Sequence, residues 1–234
     1  NLEEPDRVPI VDIVSPVFLE KLTGMEAIVG TEMIMRSREE ILNNLVNIEV
    51  KGIRMLDLDA ALVMDIVGPR DIEITIVDER TFIDEWGAKL TFPPNVRMAL
   101  PMYVGGTMDN PEEFEPPDPH AEGITEAYEM MYKELGKKMP VIPYVGAFWE
   151  AVKAGRGHAR ILTDFILNPT IAEKLLDMNV NYYTELCKAY VDLGAPAIFT
   201  GDDIAWKKGL EFSPTIFRKL FKPRIDKFVG TFAK

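Results

Sequence analysis

Cysteine is almost missing from this sequence, and histidine is nearly as scarce. The single Cys187 excludes a disulfide within the chain and fits a reducing compartment, and its place in the helical run 179–191 makes it a buried core thiol. The two histidines, His120 and His158, are not spaced i, i+4 and have no cysteine motif beside them. They cannot supply a tetrahedral zinc site, and both read as surface residues, His158 at a helix start. Basic residues are outnumbered, 26 Lys and Arg against 38 Asp and Glu, for a formal charge of −12. That balance disfavours binding to nucleic acid or to an anionic membrane, and the excess acid serves solubility. No run of about eighteen uncharged apolar residues is present for a membrane span. The opening NLEEPDRVPI has neither the basic start nor the apolar stretch of a signal peptide. These absences lead us to expect a cytoplasmic protein.

What is present points to a packed α/β domain. The hydrophobic content is 47% and the mean hydropathy −0.02, enough for a sizeable core. Residues 8–14 (VPIVDIV) form an apolar run bounded by Pro9 and Pro16, as a buried first strand would be. Residues 39–53 have helical spacing, with Ile41, Leu45, Ile48 and Gly52 on one side. Within the apolar run 57–67 we place a second strand near 60–64. The segment 72–77 alternates and can pair with 86–92 across 78–85, an antiparallel excursion from the main sheet. Residues 93–119, crowded with Gly and Pro, read as a long surface loop, either a lid or wall of a site or a plain excursion. Helix 124–135, strand 141–145 and helices near 148–154 and 158–167 follow. A long helix then runs over 170–193, announced by Asn168-Pro169 and closed by Gly194. The alternation argues for parallel strands joined by right-handed crossovers.

The most informative stretch lies between Asp192 and Arg224. There a short apolar run, 195–200, reads as a buried parallel strand, with Gly201-Asp202-Asp203 beyond its carboxyl end. Adjacent residues point in different directions, so one carboxylate can face the mouth of a barrel while the other caps the next turn. Such a carboxylate can orient a substrate, take a proton or hold a cationic group, and both can equally serve only as acceptors for loop amides. Tyr144, Phe148 and Glu150 follow the preceding strand, where Gly146 lets a ligand approach the backbone. Phe148 and Trp149 also suit ordinary core packing. Asp84 and Trp86 sit in a DEWG turn that starts a strand. Gly155-Arg156-Gly157 lacks the Gly-Lys-Ser/Thr ending of a phosphate loop, and Lys207-Lys208 reads as a solvated pair.

The run GDDIAWKKGLEFSPTIFRKLFKPR resembles the mid-barrel segment of the uroporphyrinogen decarboxylase superfamily, especially its methyltransferase branch, whose members work with corrinoid proteins. EEPDRVPI, the DEWG turn, FEPPDPHAEG and GHARILTDFILNPTIAEKLLDMNVNYY occur in the expected order. The resemblance implies a TIM (β/α)8 barrel and a methyltransferase that moves a methyl group between a small methylated compound and a corrinoid protein. It makes Asp202 and Asp203 the catalytic candidates and Tyr144, Phe148, Trp86 and Asp84 the substrate-binding ones. The corrinoid would arrive on a partner. Metal-dependent members use a His-x-Cys element and a later Cys that no position here matches, so zinc would need ligands beyond Lys234. A carboxy-lyase acting on a pyrrole side chain is the alternative, against which stands the lack of an arginine-rich motif before Asp12. A non-catalytic barrel subunit is a further one, and homo-oligomer formation is left open.

Only four or five strands of such a barrel are found here, whereas closure takes eight. We therefore expect residues 1–234 to be one domain holding the N-terminal two-thirds of a barrel, its C-terminal strands missing. Expressed by itself, the chain is expected to bind no stoichiometric zinc, to transfer no methyl group, and to aggregate or fold only beside the missing segment. Elemental analysis and light scattering, with and without downstream sequence, test this. A soluble, monomeric, zinc-loaded chain would overturn it.

Overall fold

A computed structural model of the chain describes residues 7–64, 67–98, 100–146 and 148–232. Most of the opening EEPDRVPI segment, and positions 65–66 of the apolar run 57–67, lie outside the described residues. The expected first strand does not form. Residues 8–14 run over the surface, with Val8 83% exposed. Their backbone meets the rest of the fold at Ile10, whose carbonyl accepts from Asp59 N and whose N–H donates to Asp59 Oδ2. Pro9 has no N–H to offer a ladder, which favours this looser attachment.

Helix α1 (Pro16–Thr23) ends at Gly24 in the left-handed region, and a short α2 (Glu32–Met35) follows. Helix α3 (Arg38–Leu56) is opened by a capping box in which Ser37 and Glu40 satisfy each other's backbone N–H. Ile41, Leu45 and Ile48 cover Leu19 of α1, as their spacing predicts. Gly52 lets the Leu19 side chain lie on the bare α3 backbone, where a Cβ would come 2.4 Å from its Cδ2. Strand β1 (Ala61–Met64) then enters the core.

The antiparallel excursion exists, with a different pairing from the one expected. It comprises β2 (Thr75–Ile76), β3 (Thr81–Ile83), β4 (Ala88–Thr91) and β5 (Met102–Gly106), in sequential order. Residues 75–76 pair with 81–83, inside the span read as a connection, and β4 pairs with β3 and β5. The expected loop 93–119 therefore contains a strand. Its Gly105-Gly106 pair hid it, since glycine lowers strand propensity.

Next come α4 (Glu126–Leu135), β6 (Val141–Val145), α5 (Phe148–Arg156), α6 (His158–Leu167) and the long α7 (Pro169–Asp192), each near its predicted place. Strand β7 is only Phe199–Thr200 and is exposed, so the expected buried strand over 195–200 is shortened. Strands β1, β6 and β7 pair in parallel in the order β1-β6-β7, with Met64 beside Tyr144 and Tyr144 beside Phe199. Their carboxyl ends thus share one side. A hairpin of β8 (Ala205–Trp206) and β9 (Gly209–Leu210) follows. The described chain closes with α8 (Pro214–Ile216), a π-helical stretch at Phe217–Phe221, and α9 (Lys222–Phe232).

Trp149 of α5 is fully buried, surrounded by Phe165, Phe212 and Phe221 at ring separations of 5.5, 5.4 and 5.8 Å. Among the described residues no helix is long and apolar enough to cross a membrane.

The antiparallel sheet is docked on α5 through backbone. A Cβ on Gly106 would lie 2.4 Å from Gly155 O and from Gly157 N, and one on Gly155 would lie 2.2 Å from Trp86 O. Arg156 reinforces the junction, donating to Met108 O at 2.8 Å and pairing through Nε with the buried Asp164 carboxylate at 2.8 Å. Backbone cannot yield to a methyl group as a flexible side chain can. Gly106→Ala is therefore expected to destabilise the fold by about 1–3 kcal/mol in urea denaturation. The neighbouring Gly105→Ala, whose Cβ would meet nothing within 4 Å, should change stability by less than about 1 kcal/mol. Equal effects would show that the close approach does not hold the sheet.

Candidate active site

Asp202 lies just past β7 and reaches across to the start of α5. Its carboxylate accepts from Trp149 N, at 3.2 Å on Oδ1 and 3.0 Å on Oδ2, and from Glu150 N at 3.2 Å on Oδ1. The first amides of a helix have no partner within it, and the helix dipole adds positive character, so a carboxylate fits that position. Burial nonetheless dominates. It pushes the Asp202 carboxyl up from the ordinary 3.8 to about 6, against the two amide bonds, with the Glu150 charge raising it further and Lys153 lowering it. Asp202 is thus both the acceptor of the first α5 amides and a carboxyl poised to exchange a proton near neutrality.

Asp84 closes the DEWG turn. Its Oδ1 accepts from Trp86 N at 2.9 Å and from Ala88 N at 2.8 Å, and Gly87 takes a φ of 74° that glycine tolerates. Burial also raises this carboxyl, with the same two amides opposing the shift. Trp86, 9% exposed, packs edge-on against Tyr182 at 5.0 Å and lies parallel to Tyr183 at 6.4 Å, with Phe114 on another side at 6.2 Å. Phe114 brings the 93–119 segment to the site, while Pro93 to Arg97 line a separate groove with Val29 to Met35.

These residues meet at Tyr183. Its ring stands 6.2 Å from Phe148, and a Cβ on Gly146 would lie 3.0 Å from its hydroxyl. Gly146 thus admits the phenol to the end of β6. Burial strongly disfavours ionisation of this phenol, as do the neighbouring Tyr182, Asp202, Asp84 and Tyr144. Tyr144, in β6, has its ring 5.5 Å from Phe199, and its hydroxyl would lie 3.9 Å from a Cβ on Gly201. Asp84, Trp86, Tyr144, Phe148 and Asp202 are therefore brought together at the carboxyl ends of the parallel strands.

Asp203 is not: it is exposed and takes no part in the cap on α5. Tyr183 was hidden in an amphipathic helix. No local signal marks it, because Tyr182 and Tyr183 both pack against Trp86 in one cluster. His158 begins α6 as expected but is not a free surface residue. Its Nε2 is buried 3.2 Å from the Glu211 carboxylate, and its ring stacks on Trp206 at 6.1 Å. Glu211 also accepts from Trp149 Nε1 at 2.8 Å, which fixes the residue whose backbone holds Asp202.

A family model described as "Uroporphyrinogen decarboxylase (URO-D)" matches residues 43–234, leaving α1 and α2 outside the match. Comparison with curated proteins gives no match. Among solved structures, a methyltransferase from Methanosarcina mazei superposes with a TM-score of 0.71 at 17% identity, covering 99% of this chain. This chain spans 64% of the length of that one. The likeness is one of fold, and it makes β1, β6 and β7 with their helices part of a TIM (β/α)8 barrel whose carboxyl-end face carries the residues just described.

A raised carboxyl pKa means that the folded state holds a proton the unfolded chain has released. Stability from this group is therefore present at low pH and lost as pH rises from 3.8 to about 6. Asp202→Asn keeps an acceptor for the α5 amides and removes the titration. It should raise stability at neutral pH by on the order of 2 kcal/mol and flatten that part of the pH–stability curve. Denaturation series at pH 4 and pH 7 check this, and parallel curves for the variant and the parent would contradict it.

Proposed function

Because the chain belongs to the uroporphyrinogen decarboxylase (URO-D) family, we propose that it is a methyltransferase acting between a small methylated compound and a corrinoid protein. The observation that carries this reading is the meeting of Trp86, Phe148 and Gly146 at the Tyr183 ring, with Asp84 and Asp202 among the charges that act on its phenol, at the end of the strands where barrel enzymes assemble their sites. The shared fold with a protein named a methyltransferase supports the same direction.

When a methyl group leaves a heteroatom, the heteroatom gains an electron pair and needs a proton to become a neutral product. In the reverse direction a protonated heteroatom must lose one. Asp202, with its carboxyl near 6, serves both directions. Trp86, Phe148 and Tyr144 wall the site and exclude water. The corrinoid, carried by its partner, supplies the centre that gives or takes the methyl group. Phe199 and Trp206, 45% and 63% exposed on either side of Asp202 in sequence, are the apolar residues that would meet such a partner. The described residues do not suit zinc. They gather no group of three or more His, Cys, Asp or Glu able to hold a metal, and burial pushes the Cys187 thiol up to about 12.

A carboxy-lyase is the second reading, favoured by the same raised carboxyl, which can protonate the carbon that loses carbon dioxide. Separate Asp202→Asn and Asp203→Asn variants test the assignment. Asp202→Asn is expected to lower turnover by about 10²–10⁴-fold while Asp203→Asn stays near the parent. Methyl transfer to a corrinoid protein and carbon dioxide release, measured in parallel, separate the two readings. Parent-like turnover in both variants would remove the acidic pair from the mechanism.

A further inference from the structure

A groove of about 830 Å³ opens between the loop into α2 and the connection from β4 to β5, and none of the candidate active-site residues lines it. One wall is stiff. Pro93 and Pro94 lock their own φ, Asn95 sits in the left-handed region at 62°, and Gly30 N donates to Met98 O at 3.0 Å. Arg97 ties that wall to the N-terminal helices, with Nη1 donating to Glu20 Oε1 at 2.8 Å and Nη2 to Ala27 O at 2.8 Å. Arg80, in the turn before β3, also lines the groove, and its guanidinium makes no hydrogen bond among the described residues. Its Nε is buried without an acceptor, although the side chain as a whole is 40% exposed. Among the described residues the one carboxylate within 4 Å of it is Glu79, at 3.9 Å, beyond hydrogen-bond length and on a side chain 79% exposed. With 38 acids against 26 bases in the chain, a guanidinium left without a close carboxylate is unexpected. Beside it the lining is apolar, made by Val29, Met35, Pro93, Pro94 and Val96.

We propose that this groove binds a small monocarboxylate with an apolar body, its carboxylate on Arg80 and its hydrocarbon part along Val29, Met35 and Val96. A guanidinium holds its N–H donors in one plane, the geometry that the two oxygens of a carboxylate accept. The ligand carries a single charge, because Glu32 and Glu79 line the same groove and a dianion such as a phosphate monoester would meet both. Its body is apolar because the wall is, and grooves of roughly 300–1,000 Å³ enclose ligands of drug-like size. The wall is set by prolines before the ligand arrives, so little ordering cost falls on binding. The proposal is independent of the methyltransferase reading.

Hexanoate, 1-hexanol and hexyl phosphate, titrated at pH 7 and followed through the backbone amide signals by NMR, test both the place and the charge. Hexanoate is expected to shift the amides of Gly30, Glu32, Arg80, Asn95 and Val96, and to bind at least about tenfold more tightly than hexanol or hexyl phosphate. Arg80→Gln should cut hexanoate affinity about tenfold and leave hexanol unchanged, while Arg80→Lys, which keeps the charge without the planar fork, should recover only part of the loss. The amide shifts come from the unsubstituted protein and do not depend on how a variant folds. Hexanoate shifts confined to residues outside the groove, equal binding of hexanoate and hexanol, or full hexanoate affinity in Arg80→Gln each overturn the proposal. Tighter binding of hexyl phosphate than of hexanoate would overturn the monocarboxylate as the ligand class.

Discussion

A carboxylate on the first amides of a helix holds this site together. Asp202 belongs to the segment after β7, and Trp149 and Glu150 open α5 directly after β6, so one side chain joins the carboxyl ends of two neighbouring parallel strands. The helix end supplies donors that would otherwise have no partner, and the loop supplies the charge. The same placement removes the carboxyl from water, and desolvation outweighs the favourable amides. A structural bond and a carboxyl pushed up by burial therefore coexist in one group. Glu211 extends the arrangement, since it pins the indole of the residue that holds Asp202.

The second carboxylate arrives by a different route. Asp84 lies outside the parallel sheet, in the turn before β4, and only the docking of the antiparallel excursion on α5 brings it within electrostatic reach of Tyr183. The two acids are thus held by independent parts of the chain. Burial raises both carboxyls, so each costs stability when ionised.

Much of this was legible in the sequence. Helices α3, α4, α6 and α7 announce themselves by apolar spacing and caps, and the Gly194 that closes α7 takes the positive φ expected of it. Strand β6 was legible because it is buried and continuous. The failures have physical causes. Residues 8–14 carry a strand's composition, but composition does not reveal whether a partner edge exists. Strand β5 contains Gly105-Gly106, and local propensity there gave way to the close packing that glycine permits. At the site, Tyr144, Phe148 and Asp202 could be placed on one face because parallel strands bring their loops together, whereas Asp84 and Trp86 reach that face by way of the antiparallel excursion. Asp203 was not separable from Asp202 by type, only by which of the two reaches α5. Tyr183 sits mid-helix, where an aromatic ring reads as core, and His158 is tied to Glu211 by a contact that spans too many residues for any local pattern to show.

The junction of Gly87, Gly106 and Gly155 is made of main-chain atoms, with Met108 N donating to Gly155 O and Thr107 N to Gly87 O. Such a seam has no side-chain vocabulary. Substitutions on the outer faces of the excursion can accumulate without altering where it sits, while the three glycines themselves admit almost no change. The aromatic wall around Trp86 is side chain throughout, so it can change shape without moving the seam, while the turn amides keep Asp84 at its address.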